Sequence, residues 1–395
     1  MLTLTHPSLL VDGLDFPFGL NAIVVDGQPA LLAKVGKEFI LTALLNRGFK
    51  VYICPLSNGG VGIISAFFDD DDEPLVAMTP LHDGEDGVRL REALLSPNLR
   101  VHLFDEHNRE FLGHISALTI PPGARDRLSS ARPLELDIPG SGAWFAEMQT
   151  WFGLRKASDD AEAIDISFGG SLVPEDLFLQ DMRPELHGFH GSPGFSYTTL
   201  EREEPGLLQE LDIIRLLHSF FPATQIYHDP LRITDREEIA DVVVVTDDYA
   251  LVVQAKDSPN IERILRNTIE RKRKTTHSSL AKALRQFEGA TKYLRSGDPV
   301  TMVMPNRNVE IEVGERLVVG LVVLKEMFND EYQEYIQAIL TISNRVGAPC
   351  IALDYPELVS YARFLRGENA FFEAYWRVFT HGADTGMFPR LRMVP

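Results

Sequence analysis

Residues 239–256 read IADVVVVTDDYALVVQAK, and the fold of the C-terminal half turns on them. Two apolar runs, Val242–Val245 and Ala250–Val253, flank the polar break Thr246-Asp247-Asp248. Short β-branched runs bounded by turn formers predict buried strands. So short a break predicts a hairpin turning at Asp247-Asp248, with Thr246 opposite Tyr249. In that register Val245 faces Ala250, Val243 faces Val252 and Asp241 faces Gln254. Opposed residues share a face of the sheet, and Lys256, two past Gln254, joins them. The middle of the hairpin is apolar on both faces, so the sheet is expected to be covered on both sides. The plainest reading of its polar end is a strand reaching solvent, with Lys256 extended outward and Asp241 capping a neighbour.

The helix expected upstream, in GLLQELDIIRLLHSFFP from Gly206 to Pro222, argues for more. Leu207, Leu211, Ile214, Leu217 and Phe221 make an apolar stripe at helical spacing, and Glu210 falls inside it. Gln209, Asp212, Arg215 and Ser219 are then expected to face outward. A carboxylate on a buried face costs several kcal/mol unless a cation, metal or donor meets it. Glu210 is therefore expected to point at a partner, a core Arg or Lys being the ordinary one.

Glu210 on a helix, a strand, Asp241, and then Gln254-Ala255-Lys256 resembles the PD-(D/E)xK nuclease superfamily, in the form found in Mrr-type restriction endonucleases with Gln before x-Lys. The resemblance covers about residues 200–325. Ala240 stands where the family name has Pro, and Gln254 is neutral where most members carry a carboxylate. The resemblance implies a restriction-endonuclease-like α/β fold, a mixed sheet flanked by helices. It also implies metal-dependent phosphodiester hydrolysis, DNA before RNA, in restriction or antiviral defence. A divalent ion lowers the pKa of bound water and steadies phosphoryl oxygens. Mg²⁺, or Mn²⁺ in its place, would take Asp241, Glu210, the Gln254 amide oxygen and the Ala255 carbonyl. Lys256 would position water or steady the phosphate. The competing reading is a binding module of the same fold, degenerate at the metal site, that holds nucleic acid or protein. In another, Glu210 and Lys256 form a structural ion pair.

The net charge of −19 divides unevenly. Residues 1–200 carry 28 acidic and 14 basic side chains, and residues 201–395 carry 29 and 24. Residues 257–295 reverse the sign, with ten Lys/Arg against four Asp/Glu. A local basic patch is what a phosphate backbone needs. Arg271, Lys272, Arg273, Lys274, Lys282 and Arg285 are its candidates, on helices expected at 261–273 and 278–295.

At 395 residues the chain has room for two or three domains. A β-rich N-terminal domain is expected over 1–120, with a hairpin at Asn58-Gly59-Gly60 and one helix at 35–47. It shows no catalytic constellation, and a partner protein or a second copy is expected to bind there if anywhere. Residues 121–200 read as a connector, punctuated by Pro121-Pro122-Gly123 and Gly169-Gly170 and holding an aromatic helix at 143–154. Residues 201–395 read as the nuclease-like domain. No apolar stretch reaches membrane-spanning length, and Cys54 and Cys350 have no metal-ligand spacing. A cytoplasmic protein with two buried thiols is expected. No P-loop or Rossmann glycine motif is present.

Overall fold

The structure is a computed structural model that describes residues 1–6, 16–132, 134 and 141–390. The chain forms two compact units, one of residues 1–177 with 260–267, the other of 178–259 with 268–390. Both are mixed α/β. Among the described residues no helix is long and apolar enough to cross a membrane.

The first unit is built on eight strands: β1 Gly19–Val25, β2 Gln28–Lys34, β3 Gly48–Pro55, β4 Val61–Phe67, β5 Leu75–Pro80, β6 Asn98–Phe104, β7 Glu110–Thr119 and β8 Ile164–Ser171. They form one sheet in the order β1-β2-β6-β7-β8-β3-β4-β5, antiparallel except between β2 and β6. The Leu20 N–H donates to the Thr79 hydroxyl at 2.9 Å, so the sheet curls until its two edge strands meet. Asn58-Gly59-Gly60 turns β3 into β4, with Gly59 at φ +82, where a side chain would be strained.

The sequence between 121 and 200 does not act as a connector. Its strand β8 inserts between β7 and β3 at the middle of the sheet. Gly169-Gly170, expected to punctuate a linker, belongs to that strand. A Cβ at Gly169 would lie 2.8 Å from the Ile115 carbonyl oxygen, beside the register shift between His114 and Ser116. The glycine thus marks an irregular, close-packed strand rather than a loop. The aromatic helix, Ser141–Gly153, lays Met148 and Phe152 on Tyr52, Cys54 and Ile64.

The second unit holds a five-stranded sheet ordered β11-β13-β14-β17-β18: β11 Ile226–His228, β13 Val242–Val245, β14 Tyr249–Lys256, β17 Leu317–Leu324 and β18 Cys350–Asp354. β11, β13 and β14 pair antiparallel; β14, β17 and β18 pair parallel. The hairpin takes the expected register, Val245 opposite Ala250 and Val242 opposite Val253, closed by the Thr246 N–H on the Tyr249 carbonyl at 2.9 Å. Every residue from Ala250 to Ala255 is buried, as a sheet covered on both faces requires. Parallel neighbours need long crossovers. The Ile269–Leu294 helix lies in the first, with Phe287 seated over Gly320 of β17. The Tyr332–Val346 helix supplies the second. A ribbon of β9 Phe178–Asp181 with β10 Ser196–Thr199, and a small sheet of β12 Leu231–Arg232, β15 Val300–Met304 and β16 Arg307–Ile311, complete the unit.

The first unit carries a helix beyond the one expected, Glu85–Leu95, and two other helical regions also differ from expectation. The basic region forms a short Glu262–Leu265 turn and then one unbroken 26-residue helix. The polar run Thr275-Thr276 stays helical because both hydroxyls bond back one turn, to Arg271 and Lys272 carbonyls. The Glu210 helix, Gly206–Leu217, is buried on more sides than its stripe implies. Gln209 and Asp212, expected to face outward, are buried, and Leu207, expected inside, is 44% exposed. Asp212 is held by Arg202 at 3.1 Å, a partner ten residues upstream and outside the helix.

Candidate active site

β13 and β14 part at Asp241, and the side chain does the work that strand pairing no longer does. Its Oδ2 accepts the main-chain N–H of Ala255 in a short hydrogen bond, while Ala255 lies beside Val323 on the other edge of β14. The same Oδ2 accepts from Lys256 Nζ at 3.1 Å. Lys256 Nζ also donates to the Ala255 carbonyl at 2.7 Å. Side-chain exposure of the pair is 13% for Lys256 and 7% for Asp241, so the ion pair is nearly dry. Asp241 and Lys256 thus meet as the register predicts; Ala255, on the other face in that register, joins them through its backbone, while the Gln254 side chain makes no hydrogen bond to Asp241 among the described residues.

Glu210 enters from its helix and meets no core Arg or Lys among the described residues. Its Oε2 lies 3.0 Å from His228 Nε2 at the end of β11, and His228 Nε2 lies 3.6 Å from Asp229 Oδ2. One ligand atom from each of Glu210, His228 and Asp229 falls within 4.8 Å of the others, a spacing suited to a metal ion. Asp229 is tied back to the hairpin, its N–H donating to the Asp241 carbonyl at 3.1 Å. Its φ of +49 lies in the left-handed region that Asp tolerates better than most residues. That bend and Pro230 divide the strand expected over 225–233 into β11 and β12.

The electrostatics join these groups into one cluster. Burial alone would depress His228, but the hydrogen bond to Glu210 and the charges of Asp229, Glu210 and Asp241 raise it above its ordinary value. Burial, then the charges of Glu210 and Asp241, push Asp229 up to about 6 against the pull of His228. Glu238, three residues before Asp241, is exposed as a residue. Burial of its carboxyl, a hydrogen bond shared with Asp241 and the charges of Asp241, Asp229 and Glu210 push it up to about 8.

Gln254 is 1% exposed, and neither its amide oxygen nor its amide nitrogen has a hydrogen-bond partner among the described residues. A buried amide in that state costs about 1–3 kcal/mol per unmet group. The cluster therefore holds four carboxylates, one lysine and one histidine, and the unsatisfied Gln254 amide belongs to the same strand as Ala255 and Lys256. A hard divalent cation fits such a donor set: carboxylate, amide and carbonyl oxygens suit Mg²⁺ and Mn²⁺, and imidazole suits the transition ion better.

His228, Asp229 and Glu238 are absent from the sequence-predicted set. Their only sequence signal is the polar His-Asp pair closing the apolar Ile226-Tyr227 ahead of Pro230, which reads equally as a turn.

The six basic candidates all fall at the start or middle of the Ile269–Leu294 helix and separate by face. Arg271, Lys274, Lys282 and Arg285 follow helical spacing along one exposed side, opposite the buried Leu280, Ala283, Leu284 and Phe287. Arg273 is turned away, paired with Asp330 at 2.8 Å and stacked over Phe328. Lys272 is half-buried. The chain matches no protein-family model, and no similarity to a curated protein or to a solved structure is found.

Proposed function

We propose that the second unit is a metal-dependent nuclease of the PD-(D/E)xK kind, with a restriction-endonuclease-like arrangement of its sheet, acting on DNA in preference to RNA. The observation that carries this reading is the Asp241–Ala255–Lys256 contact group set beside Glu210, His228 and Asp229. The excess of carboxylate over cationic side chains is itself an argument for a bound cation, since like charges this close otherwise hold one another protonated. Asp241, Glu210, Asp229, the Gln254 oxygen and the Ala255 carbonyl would hold Mg²⁺ or Mn²⁺, with His228 as a nitrogen ligand or as the partner orienting Glu210. When bound, the ion supplies an acidified water and neutralises charge on the phosphoryl oxygens.

The chain's own residues do the remainder. Asp241 anchors Lys256 so that its ammonium stays at the mouth of the cluster, where it balances negative charge gained by the phosphate in the transition state. Glu238, whose proton a bound cation would displace, would then accept the proton lost by attacking water. A water oxygen bonds to phosphorus, the bond from phosphorus to the sugar oxygen breaks, and that oxygen takes up a proton.

The test is hydrolysis of plasmid DNA, linear duplex, single strands and RNA by the full chain, with Mg²⁺, Mn²⁺ or chelator. Cleavage is expected with metal and is expected to vanish in Asp241→Asn. Equal cleavage by the parent and Asp241→Asn overturns the reading. The neutral Gln254 favours a second reading, nucleic-acid binding without hydrolysis, which predicts oligonucleotide retention by the parent with no metal-dependent product.

A further inference from the structure

A cavity of about 220 Å³ opens beside the carboxylate cluster, lined by Arg232, Glu238, Ile239, Lys282, Arg285, Gln286 and Gly289. Glu238 and Ile239 of its lining lie three and two residues before Asp241, which joins the cavity to the cluster along the chain. Two of the cavity's polar atoms are buried and unmet among the described residues: Arg232 Nε, a donor, and Gln286 Oε1. Arg232 is partly engaged, its Nη1 lying 3.4 Å from both Asp235 and Glu237. Lys282 and Arg285 have no carboxylate partner among the described residues. Gly289 forms the floor, where a Cβ would sit 3.7 Å from Arg232 Nη2. A concave site with three cations, an unmet donor and an unmet amide selects an anion that also offers polar groups.

We infer that this cavity seats the backbone phosphate next to the scissile one, with Arg232, Lys282 and Arg285 as its ligands and Gln286 meeting the attached sugar. The inference rests on the nuclease reading and adds to it a specific substrate contact. The volume admits a phosphoryl group and part of one sugar, not two nucleotides. Beyond the cavity, Lys274 and Arg271 continue the same side of the helix. From Arg285 to Arg271 is fourteen residues, about 21 Å at the helical rise, enough for about three further phosphates of an extended strand. Seating the adjacent phosphate fixes the register of the chain on the carboxylates, a positioning role that carries no base preference.

Binding is measured with the full chain carrying Asp241→Asn, so that nothing is cleaved, using fluorescence anisotropy of labelled single-stranded DNA, duplex DNA and RNA at several salt concentrations. Lys282→Gln, Arg285→Gln and Arg232→Gln are each expected to weaken binding about 5- to 20-fold and to reduce the salt slope by about 0.7–0.9. Lys282→Arg, which keeps the charge, is expected to hold the parental slope. In the cleaving background, Mn²⁺ affinity by calorimetry is expected to stay at the parental value while KM rises. Unchanged slopes in all three Gln variants, with cleavage and metal binding intact, overturn the cavity's role and leave the nuclease reading standing. No oligonucleotide binding by any form, with no metal binding and no cleavage, overturns both. Equal loss of metal affinity and oligonucleotide affinity in Arg232→Gln assigns Arg232 to shaping the cluster and overturns its phosphate contact.

Discussion

Lys256→Met keeps the aliphatic stem and removes the one lysine set among four carboxylates. Asp241, 5% exposed, would keep only the Ala255 N–H as a donor from this contact group. Taking one partner from a buried ion pair costs about 3–5 kcal/mol. Lys256 retains some solvent, so the low end applies, about 3 kcal/mol at pH 8. A urea m-value of about 3 kcal/mol/M for a unit of this size lowers the midpoint by about 1 M. On the proposed reading a divalent ion should also replace the missing cation. At a hundred times its dissociation constant it contributes about 2.7 kcal/mol, close to full recovery. Trp376, whose indole N–H donates to the Tyr249 hydroxyl at 3.1 Å, reports the state of β14 by fluorescence. Trp144→Phe and Trp151→Phe remove the signal of the first unit. A Lys256→Met midpoint at the parental value at pH 8 without metal would refute the compensation argument. A midpoint lowered as expected but unmoved by Mg²⁺ or Mn²⁺ would refute the metal site.

Two further outcomes follow from titrating groups. Metal binding should release about one proton near pH 7, where Glu238 at about 8 is still mostly protonated, and affinity should rise from pH 6 to pH 8. Calorimetry in two buffers of different ionisation heat checks this, and a pH-independent affinity would count against Glu238 and Asp229 as members of the site. Away from the site, Arg390 clamps Asp354 and Glu357 at the head of the Tyr355–Phe364 helix, and Glu357, raised by burial and by Asp354, sits near 7. The folded state therefore holds a proton that the unfolded chain releases, so this group's contribution to stability declines as pH rises from about 4.5 to about 7. Arg390→Ala should cost about 3 kcal/mol above pH 7 and less at pH 5. Urea titrations across that range would show a constant gap if the clamp were not electrostatic.

The hairpin was legible because its information is local. Four consecutive valines, two turn-forming aspartates and period-two alternation determine which residues face each other, and Asp241 and Lys256 meet accordingly, whereas the Ala255 main-chain contact is not written in that alternation. The burial of the Glu210 helix was not legible, because what covers Gln209 and Asp212 comes from elsewhere in the chain. Arg202 has no periodic relation to Asp212, and the Tyr355–Phe364 helix packs on Gly206–Leu217 from about 150 residues further on. The strand β8 was hidden for a different reason. Its glycines answer to close approach by Ile115, a tertiary fact, while in sequence they signal a loop. His228 and Asp229 were hidden by their backbone, since a left-handed residue before proline looks like a turn whether or not its carboxylate is used.

Those hidden residues change the meaning of Gln254. Read along β14 alone, a neutral residue at 254 is a lost ligand. Across the sheet, however, Asp229 donates its N–H to the Asp241 carbonyl, and Asp241 stands opposite Gln254 when the register is extended by one residue. Extended by one residue, the two ladders align positions 229, 241 and 254 across β11, β13 and β14. A carboxylate at 254 would be the fifth in a cluster where burial and neighbouring charges already raise Asp229 and Glu238 above their ordinary range. The neutral residue is what the extra acid at 229 calls for, and the two positions should compensate. Asp229→Asn is expected to weaken Mn²⁺ binding about tenfold or more, a charged oxygen ligand being worth more than an amide to a hard dication. Gln254→Glu alone is expected to raise affinity only slightly, its gain offset by repulsion in the metal-free state. Combined with Asp229→Asn, Gln254→Glu restores the number of carboxylates and should return affinity to within a few-fold of the parent. Calorimetric titration of the parent, the two single variants and the double variant gives the coupling directly. Strictly additive effects would mean that Asp229 and Gln254 do not serve the same ion, and that the charge missing from β14 is not supplied from β11.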